Sequence, residues 1–213
     1  GKDPVGLARS VQGLLPVVHP PPDGLWGRRG LTPFTLAEEW IGRPLSEAPS
    51  PQDLVLRYLA SFGPATVKDI QAWSGMTRLR EVADRLRPRL LVLRSEEGAD
   101  LFDLPDAPRP GPDTPAPIRF LAALDNVVLG HADRSRFMRE EQRKHIIVQA
   151  ALLVDGFVHG LWHLKQAKNS AVLTVKLFEP LTTTEKEGVI REGERLLRFA
   201  AAGTDDHDIR FAM

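Results

Sequence analysis

Three stretches of this chain carry basic side chains at spacings that suit a polyanion: Arg78, Arg80, Arg85 and Arg87; then Arg134 and Arg136; then Lys165 and Lys168. A guanidinium grips phosphate oxygens through paired N–H donors and makes bidentate contacts to guanine, whereas a lysine ammonium acts on phosphate as a point charge. Between residues 78 and 94 six arginines face two acids, Glu81 and Asp84. The same residues also suit a solvated helix face. Arg80 and Asp84, and Glu81 and Arg85, stand four apart, the spacing of surface pairs worth ~0.2–0.5 kcal/mol each. The acids Glu96, Glu97 and Asp100 follow closely, where they would oppose phosphate.

The second stretch adds Arg139, Arg143 and Lys144, balanced by Glu140 and Glu141. The third, "LKQAKNS", holds Lys165, Gln166, Lys168, Asn169 and Ser170 with no acid. As a hairpin tip it could lie along a phosphate backbone; lysines also guard hairpin edges against pairing. "GLWGRRG" joins Trp26 to two arginines in a turn-rich loop, as a groove probe or as a turn with the ring packed inward.

Other chemistries fit less well. His159 and His163 have a spacing that suits zinc on a helix, but their flanks read as strand. Four strand residues separate the two by about 13 Å, too far to share an ion. Asp125, His131 and Asp133 could serve a hydrolase, yet no nucleophile motif accompanies them, so they read as turn polar groups. With no cysteine, disulfides and thiolate metal sites are excluded. The residues imply no metal and no cofactor.

The bulk properties bound the partners. Lys+Arg and Asp+Glu balance at 28 each over 213 residues, so a polyanion surface has to arise from local segregation of charge. No apolar run approaches the ~18 residues of a membrane span, no signal peptide opens the chain, and a cytoplasmic protein is expected. The chain opens GKDPVGLARS without a methionine, which leaves room for an upstream segment.

The elements that must position these residues are punctuated by proline and glycine. Residues 1–51 are turn-rich, with "LLPVV" as a strand and "TLAEEWIG" as a short helix, and are expected to pack on the next module. Residues 52–106 read as three helices and a hairpin. Val55, Leu59 and Phe62 line the first helix, which Gly63-Pro64 ends. Thr66 caps the second, with Asp69 at the capping-box position. Val67, Ile70 and Trp73 share its inner face, so Trp73 is expected in the core. Gly75 stops it, and Thr77 is expected to cap a third helix carrying Arg78 to Arg87, with Leu79, Val82, Ala83 and Leu86 inward. "LLVL" and "LFDL" form the hairpin. This is the order of a winged helix-turn-helix.

Residues 107–117, "APRPGPDTPAP", form a stiff, exposed linker with five prolines. Residues 118–213 read as a second module: a mixed opening segment, a hairpin around Asp155-Gly156, a third strand "AVLTVKLFE", and a helix from Thr182 or Thr184 to about Ala202. Its apolar positions are Val189, Leu196, Leu197 and Phe199, and the tail is loose or an edge segment. The fold class is therefore α+β, with tandem winged-helix modules: a helix-turn-helix with a β-hairpin wing, then an antiparallel-sheet module with a C-terminal helix.

"RYLASFGPATVKDIQAWSGM", the hairpin after it, "LDNVVLGHADRSRF" and "VDGFVHGLWHL" together resemble a bacterial family of winged-helix DNA-binding proteins. That family includes DNA glycosylases that remove bulky alkylated bases and unhook interstrand crosslinks. The resemblance runs from about Leu14 to Ala202 and implies tandem winged-helix modules with a concave surface toward duplex DNA. Its glycosylases carry a catalytic Gln-x-Gln or Gln-x-Asp motif in an N-terminal winged helix. Here Gln12, Gln52, Gln71, Gln142, Gln149 and Gln166 are followed two positions later by neither residue. No catalytic residue carries over, and the chain is expected to bind DNA through phosphates without excising bases. A non-enzymatic protein-interaction or regulatory module is the alternative, since winged helices also serve as assembly surfaces.

Overall fold

The computed structural model describes residues 3–25, 32–146 and 149–212, and the chain divides into two compact units, Gly1–Pro49 and Ser50–Met213. In the first unit, α1 (Pro4–Leu14) begins where Asp3 accepts the Val5 and Gly6 N–H groups at 3.0 Å. This cap satisfies two donors that a helix start leaves unpaired. The sequence reading gave this stretch no helix and extended a strand back to Leu14. The strand β1 is shorter, Val17–Val18, and pairs antiparallel with β2 (Thr35–Leu36). The short helix α2 (Ala37–Ile41) follows directly. Trp26 and the arginines after it lie outside the described residues.

The second unit opens with α3 (Pro51–Phe62), capped by Ser50 and buried through Val55, Tyr58 and Leu59. Helix α4 (Val67–Ser74) has a reciprocal capping box between Thr66 and Asp69. It stops at Gly75, whose φ of 70° is the left-handed turn that glycine adopts without a Cβ penalty. Helix α5 (Arg80–Leu86) starts later than expected, and Leu79 rather than Thr77 stands at its N-cap, with no side-chain cap. The cause is local. Arg78 itself takes a left-handed φ of 60°, and the Leu79 N–H reaches back to Gln71 Oε1 at 3.0 Å. The bond to α4 holds the turn open and keeps Arg78 off the helix.

A short 3-10 turn (Arg87–Arg89) leads to β3 (Leu91–Arg94), paired antiparallel with β4 (Asp100–Asp103). Ala65 adds a bridge to Phe102 on β4, so the chain between α3 and α4 joins this small sheet. Val55, Tyr58, Leu59, Ile70, Leu79, Ala83, Leu86 and Phe102 fill the core of these helices and strands. Residues 108–117 are exposed, and their start is tethered: Arg109 pairs at 2.9 Å with the fully buried Asp103 and also donates to the carbonyls of Leu104 and Pro105.

The remaining residues build a five-stranded sheet in the order β5 (Arg119–Phe120), β6 (Ala151–Val154), β7 (Phe157–Gln166), β8 (Ser170–Leu177), β9 (Asp206–Ala212). One-turn helices α6 (Asn126–Leu129) and α7 (Arg143–Ile146) lie between β5 and β6, and α8 (Thr183–Ala200) links β8 to β9. The β6–β7 turn has positive φ at both Asp155 and Gly156, the geometry that matches a two-residue hairpin to the strand twist. All pairs are antiparallel except the last. The tail forms a full edge strand parallel to β8, which makes the sheet mixed rather than antiparallel. A parallel neighbour requires a crossover, and α8 supplies it.

The sheet is covered on both faces, which explains the unbroken apolar run of β6: Leu152 and Val154 face α8 with Leu173, Val175, Val189 and Leu197, while Ala151 and Leu153 pack with Val128, Phe137, Met138 and Ile146. Thr182 caps α8 in a capping box with Glu185. Phe199, read as one of the helix's apolar positions, is 73% exposed, because it follows the buried Leu197 by two residues and so turns away from the sheet. Among the described residues no helix is long and apolar enough to cross a membrane.

Candidate nucleic-acid interface

Residues 130–138, between α6 and α7, form the segment on which the elements converge. It is bonded to α3 and α4 along its length. The Tyr58 hydroxyl donates to the Gly130 carbonyl at 2.5 Å, and burial, with the charge of Asp69, pushes that phenol well above its ordinary pKa. His131 Nε2 lies 3.0 Å from the Phe62 carbonyl. Burial first, and then the charge of Arg136, hold this imidazole below the usual histidine range, so the neutral ring donates its Nε2–H there. Asp69 Oδ1 accepts the N–H of Ala132 at 2.9 Å and, more weakly, that of Asp133 at 3.4 Å. Arg136 reaches the Pro64 carbonyl at 3.4 Å.

Asp69 is 4% exposed and serves two structures at once. Its Oδ2 accepts from the Thr66 N–H and hydroxyl at 2.8 and 2.7 Å, closing the capping box. Its Oδ1 holds the 132–133 backbone. The capping role is readable in the sequence; the second role depends on a partner 63 residues away. Trp73 belongs to the same seam. It is 39% exposed and not a core residue. Its ring packs on Tyr58 and Phe62 with centroids 5.4 and 5.7 Å away, and its Nε1–H reaches Asn126 Oδ1 at 3.2 Å. The helical spacing with Val67 and Ile70 gives the face correctly. The position near the C-terminal end of α4 carries Trp73 past the core to the boundary with α6.

Next to the seam a cleft of about 490 Å³ opens between the start of α4, the β3–β4 turn and residues 132–136. Lys68 and Arg136 line it together with Asp133 and Glu97. Asp133 is engaged locally: it accepts from Ser135 N and Oγ at 2.9 and 2.7 Å, and these bonds hold its carboxyl below the ordinary range.

The arginines expected on the third helix divide into distinct environments. Arg78 precedes the helix; Arg80 and Arg85 lie on it, both exposed. Neither anticipated pair, Arg80–Asp84 or Glu81–Arg85, closes among the described residues; instead Arg85 Nε donates to the Glu81 carbonyl at 3.2 Å. Arg87 has left the α-helix. It bonds Asp100 at 2.6 Å and stands over the Phe102 ring at 5.4 Å from its centroid. The Arg87 bond holds the Asp100 carboxyl below its usual range, and Arg94 approaches the same carboxylate at 3.6 Å.

Lys165 and Lys168 are both exposed at the β7–β8 hairpin, where neither makes an ion pair among the described residues. Lys165 sits in the strand opposite Val172, and the turn itself is Ala167–Asn169. Gln166 is structural, donating to the Ala200 carbonyl at 2.7 Å. The edge strand brings an acid to the tip: Asp206 stands in register with Ser170, and its N–H bonds the Asn169 carbonyl. The acid-free sequence "LKQAKNS" therefore gains an acidic neighbour from β9.

The alternative chemistries find other roles. His159 Nε2 lies 3.5 Å from Glu179, whose other oxygen pairs with Arg139 at 2.9 Å, and among the described residues no three His, Cys, Asp or Glu side chains gather as a metal site. Asp125 caps α6 through the Val127 N–H at 2.9 Å. With His131 and Asp133 engaged as described, the three do not form a triad.

Comparison with known proteins completes this picture. The fold matches Streptomyces sahachiroi DNA glycosylase AlkZ with a TM-score of 0.67 at 22% identity, over 92% of this chain and 54% of that one. The chain thus spans about half the length of that structure. Comparison with curated proteins gives no match. A family model described as DNA glycosylase AlkZ-like matches residues 1–199. That match covers nearly the whole sequence, and the chain belongs to the AlkZ-like DNA glycosylase family.

Proposed function

We propose that this chain is a DNA-binding winged-helix protein of DNA repair that grips duplex DNA mainly through backbone phosphates. Residues 52–106 form a winged helix-turn-helix in this reading, with α4 and α5 as the helical pair and β3–β4 as the wing. The Ala65–Phe102 bridge supports it by adding the chain before α4 to the wing sheet. Residues 107–117 are the linker, and residues 118–213 form the second, winged-helix-like module, with β7–β8 as its hairpin.

The observation that carries the proposal is the state of the candidate cations. Among the described residues Arg78, Arg80, Arg85, Arg134, Arg136, Lys165 and Lys168 make no ion pair, and Arg87 alone of this set is bound to a carboxylate. Cations left without a carboxylate partner on several elements suit a ligand that supplies anionic acceptors repeatedly, as a phosphate backbone does. Zero net charge and the acidic β3–β4 turn make the binding weak and weakly selective. This reading assigns no base excision to the chain, because these 213 residues hold no Gln-x-Gln or Gln-x-Asp motif.

Fluorescence anisotropy with a labelled duplex at low and moderate salt tests this reading. Binding that weakens steeply with salt is expected. No binding even at low salt would contradict it and favour a protein-interaction module; release of an alkylated base by this chain would contradict the absence of excision chemistry.

A further inference from the structure

Arg134 differs from the other candidate cations in one buried atom. Its Nε is the buried side-chain nitrogen or oxygen left without a partner among the described residues. Its guanidinium makes no hydrogen bond or ion pair with a described residue, whereas Arg87, Arg109 and Arg139 each hold a carboxylate. A buried unpaired donor is costly, so such a group calls for an explanation. The adjacent acid does not supply a partner, because Asp133 is held by Ser135.

A second cation stands beside it. Arg143 Nη2 lies 3.4 Å from the Ala132 carbonyl, two residues before Arg134, while its Nη1 holds Glu140 at 3.1 Å. Burial and then the like charge of Arg143 disfavour the protonated form of Arg134. The backbone around Arg134 is fixed on both sides. Asp69 holds the N–H of Ala132, and the Arg134 carbonyl accepts from Phe137 and Met138, both buried. The segment thus carries an arginine whose guanidinium has no partner among the described residues, close enough to feel the charge of Arg143.

We propose that Arg134 and Arg143 form an anchoring site for one backbone phosphate of duplex DNA, with Arg134 giving the paired N–H contact and Asp69 positioning the segment. The site deepens the DNA-binding reading above and rests on it. An anion that draws the guanidinium outward supplies the acceptor that the buried Arg134 Nε lacks and offsets the like charge of Arg143. Because the segment is already bonded to α3 and α4, little ordering accompanies binding.

The test compares Arg134→Gln, Arg134→Lys and a charge-matched control on α8, Arg191→Gln, for affinity toward a fluorescein-labelled duplex at several chloride concentrations. Arg134→Gln should weaken binding roughly tenfold and reduce the salt slope by about one unit. Arg134→Lys should keep the slope yet bind more weakly, since an ammonium lacks the fork. The control should change binding much less, and the melting point of Arg134→Gln should not fall. Inorganic phosphate should displace the duplex from the unmodified protein more strongly than chloride at equal ionic strength, and lose that advantage with Arg134→Gln. If the unmodified protein binds DNA and Arg134→Gln binds equally well, the anchor is refuted and the DNA-binding reading stands. If the unmodified protein does not bind, both fall.

Discussion

Asp69 and Ala132 are joined by a 2.9 Å hydrogen bond between a helix-capping carboxylate and a backbone N–H in the second half of the chain. One oxygen of Asp69 closes the capping box of α4 and the other holds the segment that carries Arg134 and Arg136. Asp69→Ala removes both functions and leaves a partly buried N–H unpaired, so it should cost about 2–3 kcal/mol in urea unfolding. Asp69→Asn keeps one acceptor and should cost less. Both should weaken DNA binding although neither removes a cation. An unchanged unfolding midpoint for Asp69→Ala would show that the bond contributes nothing.

Trp73 packs on Tyr58 and Phe62 while remaining part exposed. Trp73→Ala should therefore cost ~1–3 kcal/mol, below the ~3–5 kcal/mol of a fully buried aromatic. Trp73→Phe, which keeps the ring contacts and loses the bond to Asn126, should cost about 1 kcal/mol or less. Thermal melting of the two variants measures both; equal losses would assign the whole effect to the hydrogen bond.

Arg87 is bound to Asp100 and stacked over Phe102, which makes it the least available of the proposed DNA contacts. Arg87→Ala should lower stability by about 1 kcal/mol, combining a half-exposed ion pair with a cation–π contact. Its affinity for DNA should change less than that of a Lys165 or Lys168 variant. A larger loss of affinity than of stability would show that Arg87 leaves Asp100 for phosphate.

His131 gives the fold a pH dependence of defined sign. Its folded pKa lies below the ordinary 6.5, so below that pH the unfolded chain binds more protons than the folded one. The contribution is complete above pH 6.5 and is lost as the pH falls through the folded value. His131→Gln, which can still donate to the Phe62 carbonyl, should flatten the decline in stability as the pH falls below 6.5. Parallel pH profiles for the two proteins would remove His131 as the cause.

The elements legible in the sequence are those whose signals are local. Thr66 with Asp69, Gly75 and the Asp155-Gly156 turn each act within a few residues, and each appears where the pattern puts it, while Thr182 is one of the two starts that the pattern offers for the last helix. The start of α5 differs from the expected Thr77 cap because a bond across the α4–α5 turn, from the Leu79 N–H to Gln71 Oε1, overrides the capping preference of Thr77. In the sequence the parallel edge strand β9 shows only as a loose or edge segment, since its pairing depends on where α8 returns the chain. At the candidate site, the sequence gives the basic residues but not their availability. That Arg87 is paired, that Arg134 Nε is orphaned and that Asp206 adjoins the lysine hairpin are tertiary facts.

The most direct measurement of the central claim is the slope of log affinity for duplex DNA against log salt, for the unmodified chain and for Lys165→Ala with Lys168→Ala. Both lysines are exposed, and neither forms an ion pair among the described residues, so their removal should leave the melting point unchanged. Phosphate contact by both predicts weaker binding and a slope flatter by about two units. Equal slopes for the two proteins would contradict phosphate gripping by this hairpin, and a flat slope for the unmodified chain would contradict the account as a whole.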